Sequence, residues 1–157
     1  MDWLVLPIFL AACLAASSTG ALFMPDRWYR EELAKPPWTP PDWMFPVVWL
    51  PVYLIIAIAA ARAASLPGND VALAFWSLQM VLNALWSPVF FGLRRVGAGL
   101  VIVLCLWAAV CATMVALFQL DTIAGLLFVP YLTWVTVAAS LNGSIWRRNP
   151  PPAQPAE

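Results

Sequence analysis

The sequence predicts an all-α integral membrane protein, a single bundle of five transmembrane helices spanning residues 1–148. Three observations predict it. Of the 157 residues, 63% are hydrophobic and 10% charged, with a mean hydropathy of +0.82, whereas a soluble domain carries about a quarter charged residues. Stretches without Asp, Glu, Lys or Arg cover residues 3–24, 43–61, 71–93, 96–120 and 122–146, each near or above the ~20 residues with which a helix crosses ~30 Å of hydrocarbon. The basic residues are also divided unevenly, with Arg27, Arg30, Lys35, Arg94, Arg95, Arg147 and Arg148 on one side of such a bundle and Arg62 alone on the other. Because Lys and Arg concentrate in cytoplasmic loops, the N-terminus is expected outside and the C-terminus in the cytoplasm.

Each element follows in order. The first run is preceded by Asp2 and by no Lys or Arg, and it exceeds the ~7–15 residues of a signal-peptide core, so it reads as a mature helix. Residues 25–42 form the only long connection. If 26–34 are a short helix, Trp28, Tyr29 and Leu33 share one face, and Pro36-Pro37 ends it. Such a helix is either a lid over a pocket mouth or an interfacial helix lying among headgroups. The second span, 43–65, opens within Trp38-Thr-Pro-Pro-Asp-Trp43-Met-Phe45-Pro46-Val-Val-Trp49, where the aromatic rings serve either as interface anchors or as the lining of a cavity. The turn Leu66-Pro67-Gly68-Asn69 leads to span three (71–93), residues 94–97 to span four (96–120), and Asp121 to span five (122–146). Connections this short make successive helices antiparallel neighbours. Residues 149–157, with four prolines, read as a disordered tail.

Composition excludes several chemistries. The chain has no histidine, hence no His-based acid–base catalysis, His-containing zinc site or proximal-His haem. Cys13, Cys105 and Cys111 lie inside spans without a CxxC pair and read as small buried apolar residues. No metal site is expected. There is no Gly-rich phosphate loop and no carboxylate within a span, and a formal net charge of zero gives no basis for nucleic-acid binding.

Polar and aromatic residues form stripes instead. Phe45, Trp49 and Tyr53 recur every four residues in span two. Gln79, Asn83, Trp86 and Phe90 do the same in span three, and Tyr131, Trp134, Ala138 and Asn142 in span five. At ~1.5 Å per residue, Trp49, Tyr53, Asn83, Trp86, Trp134 and Ala138 all lie roughly 9–18 Å below the cytoplasmic interface. Three stripes at one depth are expected to converge on a pocket, although Asn and Gln also bridge membrane helices purely as packing glue.

These residues carry a resemblance. Trp28-Tyr29, Lys35-Pro36-x-Trp38-x-Pro40-Pro41-x-Trp43, Trp49 with Tyr53, Asn83-x-x-Trp86-x-Pro88-x-Phe90-Phe91-Gly92, Pro130-Tyr131-x-x-Trp134, and Leu141-Asn142 followed by Trp146-Arg147 resemble, in order and spacing, the TspO/MBR family. These are the tryptophan-rich sensory proteins, whose mitochondrial relatives are the translocator proteins or peripheral-type benzodiazepine receptors. The resemblance implies a bacterial member with a five-helix fold, usually a homodimer, and a cavity that opens toward the cytoplasm beneath the first loop. Its ligands would be porphyrins such as protoporphyrin IX and haem, with benzodiazepine-site drugs and sterols as further ligands and no obligatory cofactor. By matching position, Trp49, Tyr53, Asn83, Trp86 and Trp134 would line the pocket, Trp38 would stand at its rim, and Ala138 would leave room for the ligand. The family's sterol stretch requires an aromatic where this chain has Gly143, within Leu141-Asn142-Gly143-Ser144-Ile145-Trp146-Arg147, so sterol binding is expected to be weak.

The resemblance implies tetrapyrrole transport or sensing. An alternative is a light- or oxygen-dependent porphyrin-degrading enzyme with Trp49 and Trp134 as candidate redox side chains. A small-molecule transporter or scaffold is a third reading, but the spans carry neither an ionisable relay nor paired broken helices.

Overall fold

The computed structural model describes residues 4–150. Six α-helices run in chain order: α1 (Leu6–Leu22), α2 (Met44–Ala64), α3 (Asp70–Ser87), α4 (Val96–Leu120), α5 (Thr122–Leu127) and α6 (Val129–Arg148). Among the described residues, four stretches are long and apolar enough to cross a membrane: Met44–Ala64, Asp70–Gly92, Val96–Leu120 and Thr122–Arg148. Leu6–Leu22 is a shorter apolar helix. The expected first span begins at Trp3, which lies outside the described residues, as do residues 151–157 of the expected tail.

Local chemistry explains the departures from five uniform rods. Pro130 has no N–H to continue a helix, so the last apolar run is broken at Phe128 into α5 and α6. Pro88 opens a widened π turn, Pro88–Gly92, at the end of α3, in which Leu93 N–H donates to Pro88 O at 2.8 Å. That turn buries Phe90 and Phe91 together. Gly68 takes the positive φ of 75° that the α2–α3 turn requires. Of the cysteines only Cys13 is buried; Cys105 is exposed on α4 and Cys111 is intermediate, because a helix this apolar presents thiols to lipid as readily as to the core.

Packing is helix on helix, with α3 against α4, α4 against α6, and α1 against both α2 and α3. Ala57, Ala59, Ala60, Ala61 and Ala63 of α2 are fully buried, which lets its neighbours approach closely, as small residues do in membrane bundles. Ala57, Ala59, Ala60 and Ala63 join Ile56, Trp76, Met80, Leu106, Val110, Phe128 and Val135 in the larger apolar core. Trp76 Nε1 donates to the Ile56 carbonyl at 3.1 Å, satisfying its indole inside that core. A smaller cluster at the other end unites Tyr29 of the first loop with Phe90, Phe91, Leu141 and Ile145. Gly99 permits this end to close, since a Cβ there would stand 2.9 Å from Phe90 Cδ2.

The first loop, the α3–α4 turn and the end of α6 meet at this same end. Asp26 pairs with Arg94 at 2.9 Å. The Asn149 side chain brackets the Ala34 peptide, accepting from its N–H and donating to its carbonyl, both at 3.0 Å. Asn149, assigned by the sequence to the tail, is thus fastened to the loop. At the opposite end Arg62 pairs with Asp121 at 2.6 Å, and that guanidinium, with the Ile123 N–H, holds the Asp121 carboxyl below the usual carboxylate range.

Candidate ligand-binding cavity

A cavity of about 820 Å³ lies among α1, α2, α3, α4 and α6, toward the upper end of the ~300–1,000 Å³ typical of small-molecule sites. From α2 it takes Phe45, Trp49 and Tyr53 together with Pro46 and Pro51. Pro51 sits inside the helix, where it removes one backbone bond beside the cavity. Asn83, Trp86 and Ser87 come from α3, Val103 and Leu106 from α4, and Trp134, Val135 and Ala138 from α6. Met24, Pro25, Arg30 and Asp42 form the mouth, where Arg30 Nε and Asp42 Oδ2 are 2.8 Å apart.

The aromatic walls are mutually braced. Trp49 stacks on Tyr53 with ring centroids 5.1 Å apart and meets Tyr131 edge-on at 6.0 Å. Phe45 stands edge-on to Trp134 at 5.8 Å. From the cavity wall a chain of hydrogen bonds runs inward: Tyr53 Oη donates to Asn83 Oδ1 at 2.8 Å, Asn83 Nδ2 to Tyr131 Oη at 3.2 Å, and Tyr131 Oη to Gln79 Oε1 at 2.8 Å, the last two fully buried. It ties α2, α3 and α6 together in a medium where an unpaired polar group is costly. Two buried donors have no partner among the described residues, Gln79 Nε2 at the end of the chain and Trp134 Nε1 on a cavity-lining ring. The Trp134 indole is therefore the one cavity side chain with a buried N–H left over.

The predicted site residues divide into three groups. Phe45, Trp49, Tyr53, Asn83, Trp86, Trp134 and Ala138 line the one cavity. Gln79, Phe90, Tyr131 and Asn142 are buried behind it and support the lining. Tyr131, itself bonded to Gln79, holds Asn83, Phe90 stacks on Trp86 at 4.9 Å, and Asn142 accepts from Trp86 Nε1 at 3.1 Å. Trp38 stands apart, half-exposed on the loop and not in the lining.

In the loop, Trp28–Glu32 forms a π turn. Trp28, Tyr29 and Leu33 pack together on the Phe90–Phe91 cluster, as their spacing predicts, yet the loop residues that reach the mouth are Pro25, Arg30 and Asp42. Burial pushes the Tyr29 hydroxyl up to about 12. Lys35 Nζ donates to the Tyr29 and Arg30 carbonyls and caps the turn.

Sequence reasoning missed the α1 wall: Leu10, Cys13, Leu14, Ser17, Gly20 and Ala21 all face the cavity. The available signal was the run of small residues from 11 to 21, which leaves space beside a neighbouring helix. Of the sterol-motif residues, Leu141 and Asn142 turn inward, whereas Gly143 and Arg147 line a separate groove on the outside of the bundle.

Among the described residues no three His, Cys, Asp or Glu side chains gather where they could hold a metal ion. The cavity can stack a flat conjugated molecule between indoles and donate one hydrogen bond to it. Apolar spanning helices around an aromatic internal cavity, closed at one end by a fastened loop, define an integral membrane protein with an intramembrane chamber. The chain belongs to the TspO/MBR family, which it matches over residues 7–147. It is 51% identical over 149 residues to a tryptophan-rich sensory protein of Cereibacter sphaeroides, covering 95% of this chain and 94% of that one. It is 46% identical over 154 residues to Protein CrtK of Rhodobacter capsulatus, with 96% of each covered. The human translocator protein is 36% identical over 128 residues, 78% of this chain and 75% of the relative.

Proposed function

We propose that this protein binds a porphyrin, such as protoporphyrin IX or haem, in the aromatic cavity and acts in tetrapyrrole transport or sensing. One observation carries the reading: Trp49, Trp86 and Trp134, from three helices, surround one 820 Å³ cavity in which the Trp134 N–H is unpaired. A planar macrocycle supplies the faces that indoles stack on, and its π face or a propionate oxygen accepts such a bond. Arg30 is the basic residue at the mouth and is placed to exchange Asp42 for a propionate. Arg27 is engaged with Glu31 on the outside, and Lys35 caps the loop. The porphyrin-oxidising alternative gains no specific support from the described residues.

The reading includes a cytoplasmic mouth, because the basic end of the bundle and the mouth coincide. It also includes five crossings, with α1 as the first, and a homodimer, supported by the exposed apolar face of α3 at Val71, Leu78, Val81 and Leu85. Sterols and benzodiazepine-site drugs are secondary ligands in this reading, the former weak for want of an aromatic at Gly143.

The test is tryptophan-fluorescence quenching by protoporphyrin IX in detergent. Saturable quenching at one ligand per cavity is expected. Quenching that rises linearly with porphyrin and never saturates would mean partition into the micelle and would remove the proposal.

A further inference from the structure

A second concavity, of about 780 Å³, lies on the outer face between α4 and α6. It is lined by Leu100, Leu104, Ala139 and Ser140, with Ser144, Arg147 and Arg148 toward the C-terminal end of α6. Gly143 lies in its lining. A Cβ at Gly143 would meet Leu100 Cδ1 at an ordinary 3.7 Å, so any larger side chain would project into the space. Arg147 and Arg148 are exposed and take part in none of the ion pairs among the described residues. Arg148 leans on Ser144 Oγ at 3.4 Å.

We infer that this groove is a binding site for one anionic phospholipid, its phosphate held by Arg147 and Arg148 and an acyl chain laid along Leu100 and Leu104. Charge and depth both select that occupant. Two guanidiniums sit where α6 leaves the hydrocarbon, followed by about two turns of wall in which Leu100, Leu104 and Ala139 are interrupted only by the small Ser140 and Ser144, which is the order of a lipid headgroup and its chain. A neutral sterol leaves both cations unmatched. A second copy of the chain docked symmetrically here would set these arginines against themselves. The site shares no lining residue with the aromatic cavity, so it stands or falls independently of porphyrin binding.

The test is native mass spectrometry from mixed micelles containing equal palmitoyl-oleoyl phosphatidylglycerol and phosphatidylcholine. The wild-type chain should retain one phosphatidylglycerol in preference to phosphatidylcholine. R147Q/R148Q should lower that retention roughly twenty-fivefold, since each surface Arg contributes about fivefold, and the groove-filling Gly143→Leu should lower it about fivefold or more. R95Q, which removes an exposed arginine at the same end but outside the groove, should stay within about twofold. All variants are compared at unchanged melting temperature. Equal retention of the two lipids overturns the inference. So does full retention by Gly143→Leu, which would mean unlocalised attraction to the basic end, or displacement of the phosphatidylglycerol by equimolar cholesterol.

Discussion

Trp49 lies nearly flat against Tyr53, with ring centroids 5.1 Å apart and planes 25° from parallel. Tyr53 is in turn held by its hydroxyl to Asn83, so this cavity-lining indole rests on a platform fixed from another helix. Losing such an aromatic face costs roughly 1–2 kcal/mol. Trp49→Ala and Trp134→Ala should therefore each weaken protoporphyrin IX binding about five- to thirtyfold in the quenching titration, and Asn83→Ala should do so moderately. Trp107, which faces away from the cavity and donates to Thr136 Oγ1, is the control: Trp107→Phe should stay within about twofold. An equal loss at Trp107 would mean that the signal reports porphyrin on the greasy surface.

The Tyr131 hydroxyl is the centre of the buried chain, accepting from Asn83 and donating to Gln79. Tyr131→Phe strands both amides at once, whereas Tyr53→Phe removes only a terminal donor beside the cavity. Each buried polar group left unpaired costs about 1 kcal/mol or more. Thermal unfolding in detergent should show Tyr131→Phe several degrees below Tyr53→Phe; the reverse order would deny the chain a structural role.

Asn149 makes two bonds to the Ala34 peptide, joining the first loop to the end of α6. Asn149→Ala should speed protoporphyrin IX release about fivefold, as loss of about 1 kcal/mol implies, while the association rate changes less than twofold. Stopped-flow measurement of both rates checks this. Equal changes in the two would identify the loop as an interfacial helix without a gating role.

The Tyr29 N–H and the Arg94 guanidinium hold the Asp26 carboxyl below its ordinary value. A carboxylate shifted down on folding contributes its full share above the unfolded value of about 3.9, and loses it as the pH falls through the lowered one. Ligand release should thus be flat from about pH 5 to 8 and accelerate only below about pH 4. Asp26→Asn should release faster throughout and show no acid-dependent rise; a wild-type rise centred above pH 5 would exclude Asp26 as its source.

The pairing of Asp26 with Arg94 and of Ala34 with Asn149 places the basic loop, turn and C-terminal end together. A reporter fused after Glu157 should be active only in the cytoplasm. Activity on the other side would invert the molecule and turn the cavity mouth outward.

Apolar runs and the distribution of Lys and Arg made the spanning segments and their shared basic end legible, because the cost of a charge in hydrocarbon acts on each segment alone. The four-residue spacing of Phe45, Trp49 and Tyr53 was likewise sufficient to place them on one face. Tertiary structure decided which of the aligned residues reach the ligand space. Tyr131 and Trp134 belong to one stripe, yet Trp134 lines the cavity while Tyr131 is buried behind it. A helical period gives direction about a helix's own axis, while the rotation and approach of its neighbours come from packing. The α1 wall, with Cys13 and Gly20, shows the same limit: small residues announce close approach without naming the partner. The unpaired Trp134 N–H and the groove beside Gly143 are differences between side chains that meet and side chains that do not. That difference is a property of the assembled bundle and of no single segment.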